Sequence, residues 1–140
     1  MNQINFGRVL LGGLVAGLIM NIGEFLLNGV VLGKQMEDIF RRFNVPPPGG
    51  NFFIVAILLT FVLGVFVIWL YALIRPRMGA GPKTAIIAAL ILWFGVYVYT
   101  GIINTVLFGF PMNLVLIGIV WGLAEYILAA LAGAWLYKEA

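Results

Sequence analysis

Two of the five acidic residues, Glu24 and Glu125, lie inside long apolar stretches of the sequence, whereas Glu37, Asp38 and Glu139 lie in polar segments. A charge at the centre of a membrane-spanning helix costs about 2.5–3.5 kcal/mol on insertion scales. Such a cost is hard to explain unless the carboxyl group is protonated, partnered or functional. The chemistry indicated for these two groups is therefore the binding and release of protons or cations.

Further polar residues recur near the two glutamates at helical spacing. Asn21 and Asn28 share a helix face with Glu24, and Tyr97 shares one with Asn104. The first, third and fourth apolar stretches could thus enclose an intramembrane polar pocket that opens outward. Its expected lining is Asn21, Glu24, Asn28, Tyr97, Asn104 and Glu125.

This polar set has two interpretations. In the functional one, a carboxyl group in a low dielectric exchanges protons or binds a cation. In the structural one, uncharged Glu and Asn side chains hydrogen-bond across helices and fix their register. At about 1.5 Å per residue, Glu24 lies about 12 Å and Glu125 about 18 Å below the outer ends of their helices. We expect Glu125 to be uncharged and bonded to Asn21 or Tyr97.

The residue inventory excludes much catalytic chemistry. The sequence has no cysteine, histidine or serine, so Cys/His metal sites and Ser-His or Cys-His catalytic pairs cannot form. The different expected depths of Glu24 and Glu125 argue against a glycosidase-like carboxylate pair. We therefore expect no enzyme, no catalytic residue, no metal and no cofactor.

The elements that must position these residues are four apolar stretches, about Phe6–Leu32, Phe52–Ile74, Thr84–Phe110 and Asn113–Tyr137. Each is long enough to cross a hydrocarbon core about 30 Å thick as a helix. With 64% hydrophobic and 9% charged residues in 140, the chain is too apolar for a water-soluble fold. The prediction is an all-α polytopic membrane protein, residues 1–140 forming a single antiparallel four-helix domain.

The connections carry clear turn signals. Arg75–Lys83 contains two prolines and two glycines, and Thr84 could cap the next helix. Lys34–Asn44 alternates apolar and charged residues at helical spacing, which predicts a short amphipathic helix on the membrane surface. That helix is either a lid or docking element, or a plain connector ended by Pro46–Gly50.

Small residues follow the same helix faces as the glutamates. Close helix packing in lipid uses such residues, and we expect it at Gly13, Gly17, Gly118, Gly122 and Gly133. In both the first and the fourth stretch a Gly precedes the Glu by seven residues and an aromatic follows it. This similarity is either a remnant of an inverted repeat or a coincidence in an apolar sequence.

Basic residues set the expected orientation, because cytoplasmic loops carry more of them. Four spans place both termini and the Arg75–Lys83 turn on one side, with Arg8, Arg75, Arg77, Lys83 and Lys138. The opposite side carries Lys34, Arg41 and Arg42. We therefore expect both termini in the cytoplasm.

Several segments carry a family resemblance. Phe6–Gly17, Asn21–Gly29, the Arg75-Pro-Arg turn, Gly81–Ala85 and Trp121–Lys138 resemble a family of small bacterial four-helix inner-membrane proteins of unknown function. The resemblance covers nearly the whole chain, implies a multi-pass protein of the bacterial inner membrane, and supplies no activity. Small multidrug transporters also have four short spans and a membrane Glu, but this chain differs in its long first loop and in the positions of its glutamates.

Two classes of function remain open at this point. One is a structural or accessory bundle that binds lipid or a larger membrane complex. The other is a small proton- or cation-coupled transporter or channel, expected to be dimeric because four helices enclose little aqueous volume. Membrane lipids and a second copy or larger complex are the expected partners, and nucleic acid is not.

Overall fold

Within residues 3–139, which the computed structural model describes, the chain is helical and contains no strand. Four long helices, α1 (Phe6–Val31), α3 (Gly50–Met78), α4 (Pro82–Phe108) and α5 (Met112–Leu136), are long and apolar enough to cross a membrane. The short helix α2 (Gly33–Arg42) lies between α1 and α3. The four predicted apolar helices are thus confirmed, with ends that differ by up to four residues.

The turn between α3 and α4 is shorter than the sequence predicts. Helix α3 continues through Pro76 to Met78 and ends at Gly79, whose φ of 88° lies in the left-handed region that favours glycine. Pro82 is the first residue of α4, where the N–H that it lacks would be unpaired anyway. Thr84 does not cap α4: its Oγ1 donates to the carbonyl of Gly79 at 2.6 Å.

Contacts between chain-distant residues define what we call the terminal end of the molecule. The backbone N–H of Asn5, before α1, donates to the hydroxyl of Tyr137, after α5, at 3.2 Å. Nη1 of Arg75, near the end of α3, lies 3.0 Å from Oε1 of Glu139. Since the start of α1 meets the end of α5, these two helices run in opposite directions.

The buried core lies toward the terminal end. Its largest fully buried side chains are Met20, Val67, Ile68, Thr84 and Tyr126. Alanines occupy the same cluster, so helices can approach closely there; they are Ala16, Ala72, Ala85, Ala88, Ala89, Ala129, Ala130 and Ala134. Toward the other end, which we call the α2 end, most side chains from Phe52 to Leu59 are exposed. Packing is therefore dense at one end and open at the other.

Candidate functional site

The open region at the α2 end contains a cleft of about 380 Å³ between α1, α4 and α5. Met36, Ile39 and Phe40 of α2 also line it, so the amphipathic helix forms one wall of the cleft. Most of the remaining lining is apolar. The polar side chains of the lining are Glu24, Asn28, Tyr97, Thr100 and Asn104.

Tyr97 links Glu24 and Glu125, the two glutamates of the long apolar helices, at the bottom of this cleft. Its hydroxyl donates to Oε1 of Glu24, and Oε2 of Glu125 lies 3.4 Å from the same hydroxyl oxygen. Glu24 lines the cleft, whereas Glu125 is only 5% exposed and lies outside the lining. The structure thus brings together two carboxyl groups that the sequence places at different depths.

The direction of side chains from a helix explains this convergence. Every Cα–Cβ bond in an α-helix tilts toward the N-terminus of its helix. Because α1 and α5 run in opposite directions, the side chain of Glu24 extends toward the terminal end and that of Glu125 toward the α2 end. The two tilts close the difference of about 6 Å in estimated depth.

The three asparagines of the expected site have different surroundings. Nδ2 of Asn28 donates to Oε2 of Glu24 at 3.1 Å, and also to the backbone carbonyl of Glu24 at 3.1 Å. Asn104 lines the cleft. Nδ2 of Asn21 instead donates to the carbonyls of Gly17, at 3.0 Å, and of Ile57 in α3, at 3.4 Å. Asn21 therefore contacts α3 and does not bond to Glu125.

Gly23 and Trp121 belong to the site although their spacing in the sequence does not reveal it. Nε1 of Trp121 donates to the carbonyl of Gly23 at 3.0 Å. The carboxyl group of Glu125 occupies the space where a side chain at residue 23 would lie. A larger residue at position 23 would require that carboxyl group to move from its place between α1 and α5.

Four of the five expected packing glycines lie in tight helix contacts. A Cβ added at Gly13 or Gly17 would meet Val65 or Phe61 of α3, and one at Gly122 would lie 2.6 Å from ring atoms of Tyr97. A Cβ at Gly133 would meet the carbonyl of Gly12. Gly118 differs, because among the described residues no heavy atom outside the neighbouring backbone of its own helix lies within 4 Å of the Cβ position there. Gly118 lines the cleft instead of packing against a helix.

The cleft lies beside two stretches of π-helix, Leu26–Val31 in α1 and Phe94–Tyr99 in α4. Such stretches are rare and frequently occur at functional sites. Oγ1 of Thr100 donates to the carbonyl of Gly95 at 3.0 Å, and Nδ2 of Asn28 bonds to the carbonyl of Glu24. Polar side chains thus satisfy backbone carbonyls where the helix widens.

Among residues 3–139, the carboxyl pair has no basic counterpart in the cleft, since none of the lining residues is Lys or Arg. Oε1 of Glu125 is buried and has no hydrogen-bond partner among residues 3–139. Tyr97 has a single hydroxyl proton and cannot donate to both carboxyl groups at once. A proton on one carboxyl group, or a cation beside it, would complete the hydrogen bonding of the pair.

Comparisons of the chain with protein-family models, with curated proteins and with solved structures find no match. In the described residues, no group of three or more His, Cys, Asp or Glu side chains could hold a metal ion. The fold and the site together define a helical protein with four potential membrane spans and a tyrosine-bridged carboxyl pair beside an open cleft.

Proposed function

We propose that this chain is a multi-pass protein of the bacterial inner membrane, with α1, α3, α4 and α5 as an antiparallel bundle of spanning helices. Large apolar side chains cover the outside of these helices; Trp135, for example, is 83% exposed and Val106 80% exposed. Lipid is the solvent in which such surfaces are stable. The basic residues at the terminal end favour a cytoplasmic location for both termini.

We infer further that the protein is a small proton- or cation-coupled transporter in which Glu24 and Glu125 form the coupling site. The observation that carries this proposal is the pair of carboxyl groups joined by Tyr97 at the bottom of the cleft. Ionisable residues within membrane helices face cavities and mark ion or proton pathways. A pair that shares one proton can exchange it for a cation that enters the cleft.

The helix geometry supports this proposal. Irregular helix backbone is tolerated inside a membrane where it lines a cavity. Transporters often have such irregular helix segments at their substrate sites. Here the π-helical stretches of α1 and α4 both border the cleft. A change of register in either stretch would move Asn28 or Tyr97 relative to Glu24.

A second candidate, a structural or accessory bundle that binds lipid or a larger membrane complex, is favoured by the bonds that cross between helices. Tyr97 of α4 bonds to Glu24 of α1, Trp121 of α5 to Gly23 of α1, and Asn21 of α1 to Ile57 of α3. Such bonds contribute about 1 kcal/mol each in membrane bundles. On this proposal the carboxyl pair holds the helices in register and moves no ion.

Proton movement in proteoliposomes distinguishes the two candidates. Vesicles that contain a pH-sensitive dye would receive gradients of Na⁺, K⁺ or benzyltrimethylammonium, a permanent cation that cannot cross as a neutral base. We expect at least one gradient to drive protons in the opposite direction, and Glu125→Gln to abolish this movement while the protein folds normally.

The matched control is Glu37→Gln. Glu37 is an exposed carboxylate of α2 that is 3.9 Å from Arg41 and outside the cleft lining. The Glu37→Gln variant should leave proton movement unchanged. If wild-type protein moves no proton under any of the three gradients, the transporter proposal is wrong and the structural one stands.

A further inference from the structure

The lining of the cleft has one acidic group among mostly apolar side chains, and this combination indicates a class of ligand. Glu24 is the only lining residue, among those described, that can carry a charge near neutral pH. Leu27, Val96 and Leu114 are among the apolar side chains around it. An anion would face the carboxyl group without a basic partner, and a fully polar ligand would lose its hydration against the apolar walls.

Three aromatic rings line the same cleft, those of Phe40 in α2, Tyr97 in α4 and Phe110 in the turn before α5. Aromatic faces attract cations, and the attraction grows when water is excluded. Rings also provide apolar contact area for the body of a ligand. The walls are therefore suited to an organic cation rather than to a hydrated inorganic one.

The hydrogen bonding of the carboxyl pair, which is independent of the shape of the cleft, also leaves a place for a cation. Asn28 donates to one oxygen of Glu24 and Tyr97 to the other. The hydroxyl oxygen of Tyr97 also lies 3.4 Å from Oε2 of Glu125. If Tyr97 turned its hydroxyl proton to Glu125, Glu24 would lose a donor that an ammonium group could replace.

We propose that the cleft binds an organic ammonium ion with an apolar body, its cationic group at Glu24 and its body against Phe40, Tyr97 and Phe110. This proposal rests on the proposed function, since it names the cation that the transporter would carry. A cleft of about 380 Å³ lies within the size range of small-molecule sites, roughly 300–1,000 Å³. The position of α2 at the cleft makes that helix part of the binding site.

Three probes of similar shape and different charge test this class of ligand. Phenethylammonium, 2-phenylethanol and phenylacetate would each be titrated into the purified protein in detergent, with binding followed by calorimetry and by tryptophan fluorescence, because Trp121 is bonded to the site. We expect phenethylammonium to bind at least about tenfold more tightly than the alcohol, the factor that corresponds to about 1.4 kcal/mol. Phenylacetate should bind most weakly.

Glu24→Gln should remove the preference for the cation, whereas the control Glu37→Gln should keep it. Equal binding of the amine and the alcohol, tighter binding of phenylacetate, or no binding of any probe would each overturn the proposal. The comparison of three probes on wild-type protein decides the charge class even if Glu24→Gln fails to fold. Because this assay measures binding without transport, its failure leaves the result of the proteoliposome experiment unaffected.

The same chemistry could come from a free amine or from the headgroup of phosphatidylethanolamine. Phenethylammonium binding would therefore be repeated in lipid nanodiscs of phosphatidylglycerol, with and without phosphatidylethanolamine. Competition by the second lipid identifies the headgroup as the natural source of the ammonium group. Binding that is the same in both discs identifies a free amine.

Discussion

The ring of Tyr97 packs directly on the backbone of Gly122. A Cβ added at residue 122 would lie 2.6 Å from Cδ2 and from Cε2 of the ring, so any larger residue there must displace the ring. The hydroxyl that bonds to Glu24 is at the far end of this ring. The absence of a side chain at residue 122 therefore controls the geometry of the carboxyl pair on α1 and α5.

Replacement of Gly122 by Ala should lower the free energy of unfolding by about 1–3 kcal/mol, the usual effect of overpacking a tight contact. Unfolding in detergent, followed by circular dichroism, measures the change. Gly118→Ala is the matched control on the same helix, since in residues 3–139 no heavy atom outside the neighbouring helix backbone lies within 4 Å of its Cβ position. The control should be neutral or stabilise by up to about 1 kcal/mol, because Ala favours helix over Gly. Equal effects of the two variants would contradict the contact between Tyr97 and Gly122.

The orientation of the chain can be tested by single-cysteine labelling, because the sequence contains no cysteine. We expect cysteines at Arg41 and Phe110 to react with an impermeant maleimide added to intact cells. A cysteine at Arg77 should react only after the membrane is permeabilised, since an excess of basic residues favours the cytoplasmic side and this orientation is the one proposed. Labelling of residue 77 in intact cells would reverse the proposed orientation.

Because of Tyr137, which follows α5, we expect the free energy of unfolding to depend on pH in the alkaline range. Its side chain is 4% exposed. Burial is the main cause that raises the pKa of its hydroxyl above the usual value of about 10, and the nearby Glu139 carboxylate adds to the shift. The folded protein therefore holds this proton more tightly than the unfolded chain. The contribution to stability is complete below about pH 10 and decreases as the pH rises above it, where the unfolded chain loses the proton first.

Tyr137→Phe should make the alkaline loss of stability less steep, because phenylalanine has no proton to release. The free energy of unfolding in detergent, measured at a series of pH values on either side of about 10, tests this. The variant also loses the bonds to Asn5 and Glu139, so its stability should be lower at every pH. The informative quantity is the slope of the free energy of unfolding against pH above about pH 10. Equal slopes for the wild type and Tyr137→Phe would contradict the prediction.

The four long helices and the short α2 could be predicted from the sequence because the length of an apolar stretch and the 3.6-residue period are local properties. The meeting of Glu24 with Glu125 could not be obtained from Cα depths alone, since the opposite tilts of their side chains bring them together. The sequence predicts Asn21 beside Glu125, but the Asn21 side chain bonds to the carbonyl of Ile57 in α3. The two π-helical stretches contain no proline that would mark them in the sequence. The bonds of Asn28 to the carbonyl of Glu24 and of Thr100 to the carbonyl of Gly95 become visible only in the structure.

Gly23 shows a further limit of sequence patterns. The spacing of Gly13, Gly17 and Asn21 predicts a packing face on α1. In the structure, that face packs on α3 near Val65 and Phe61. Gly23 lies outside this stripe and has no small neighbour at four residues on either side. Gly23 matters because the carboxyl group of Glu125 packs against it, and no pattern of small residues in the sequence marks that contact.

The two candidate functions make different predictions for Glu125, whose carboxyl group lies between Gly23 and Tyr97 with Oε1 unpartnered among the described residues. We expect this group to be uncharged at neutral pH, because it is buried, no described residue of the adjacent cleft is basic, and desolvation disfavours the charged form. Glu125→Gln should then keep most of the stability, since the amide has the same shape and can bond to Tyr97. Glu125→Ala should cost about 1–2 kcal/mol through the lost contact between helices.

Infrared titration tests the premise directly, because protonated and ionised carboxyl groups absorb at different frequencies. The difference spectrum between wild type and Glu125→Gln assigns the band to Glu125, and the same difference for Glu37→Gln provides the exposed reference. A Glu125 band that is already ionised at a pH near the usual carboxyl value of about 4.3 would rule out the uncharged acid. If the band shows a protonated carboxyl group, the Glu125→Gln variant separates the two functions. Full stability with loss of proton movement identifies Glu125 as a coupling residue. Full stability, when the wild-type protein moves no protons either, identifies Glu125 as a structural residue.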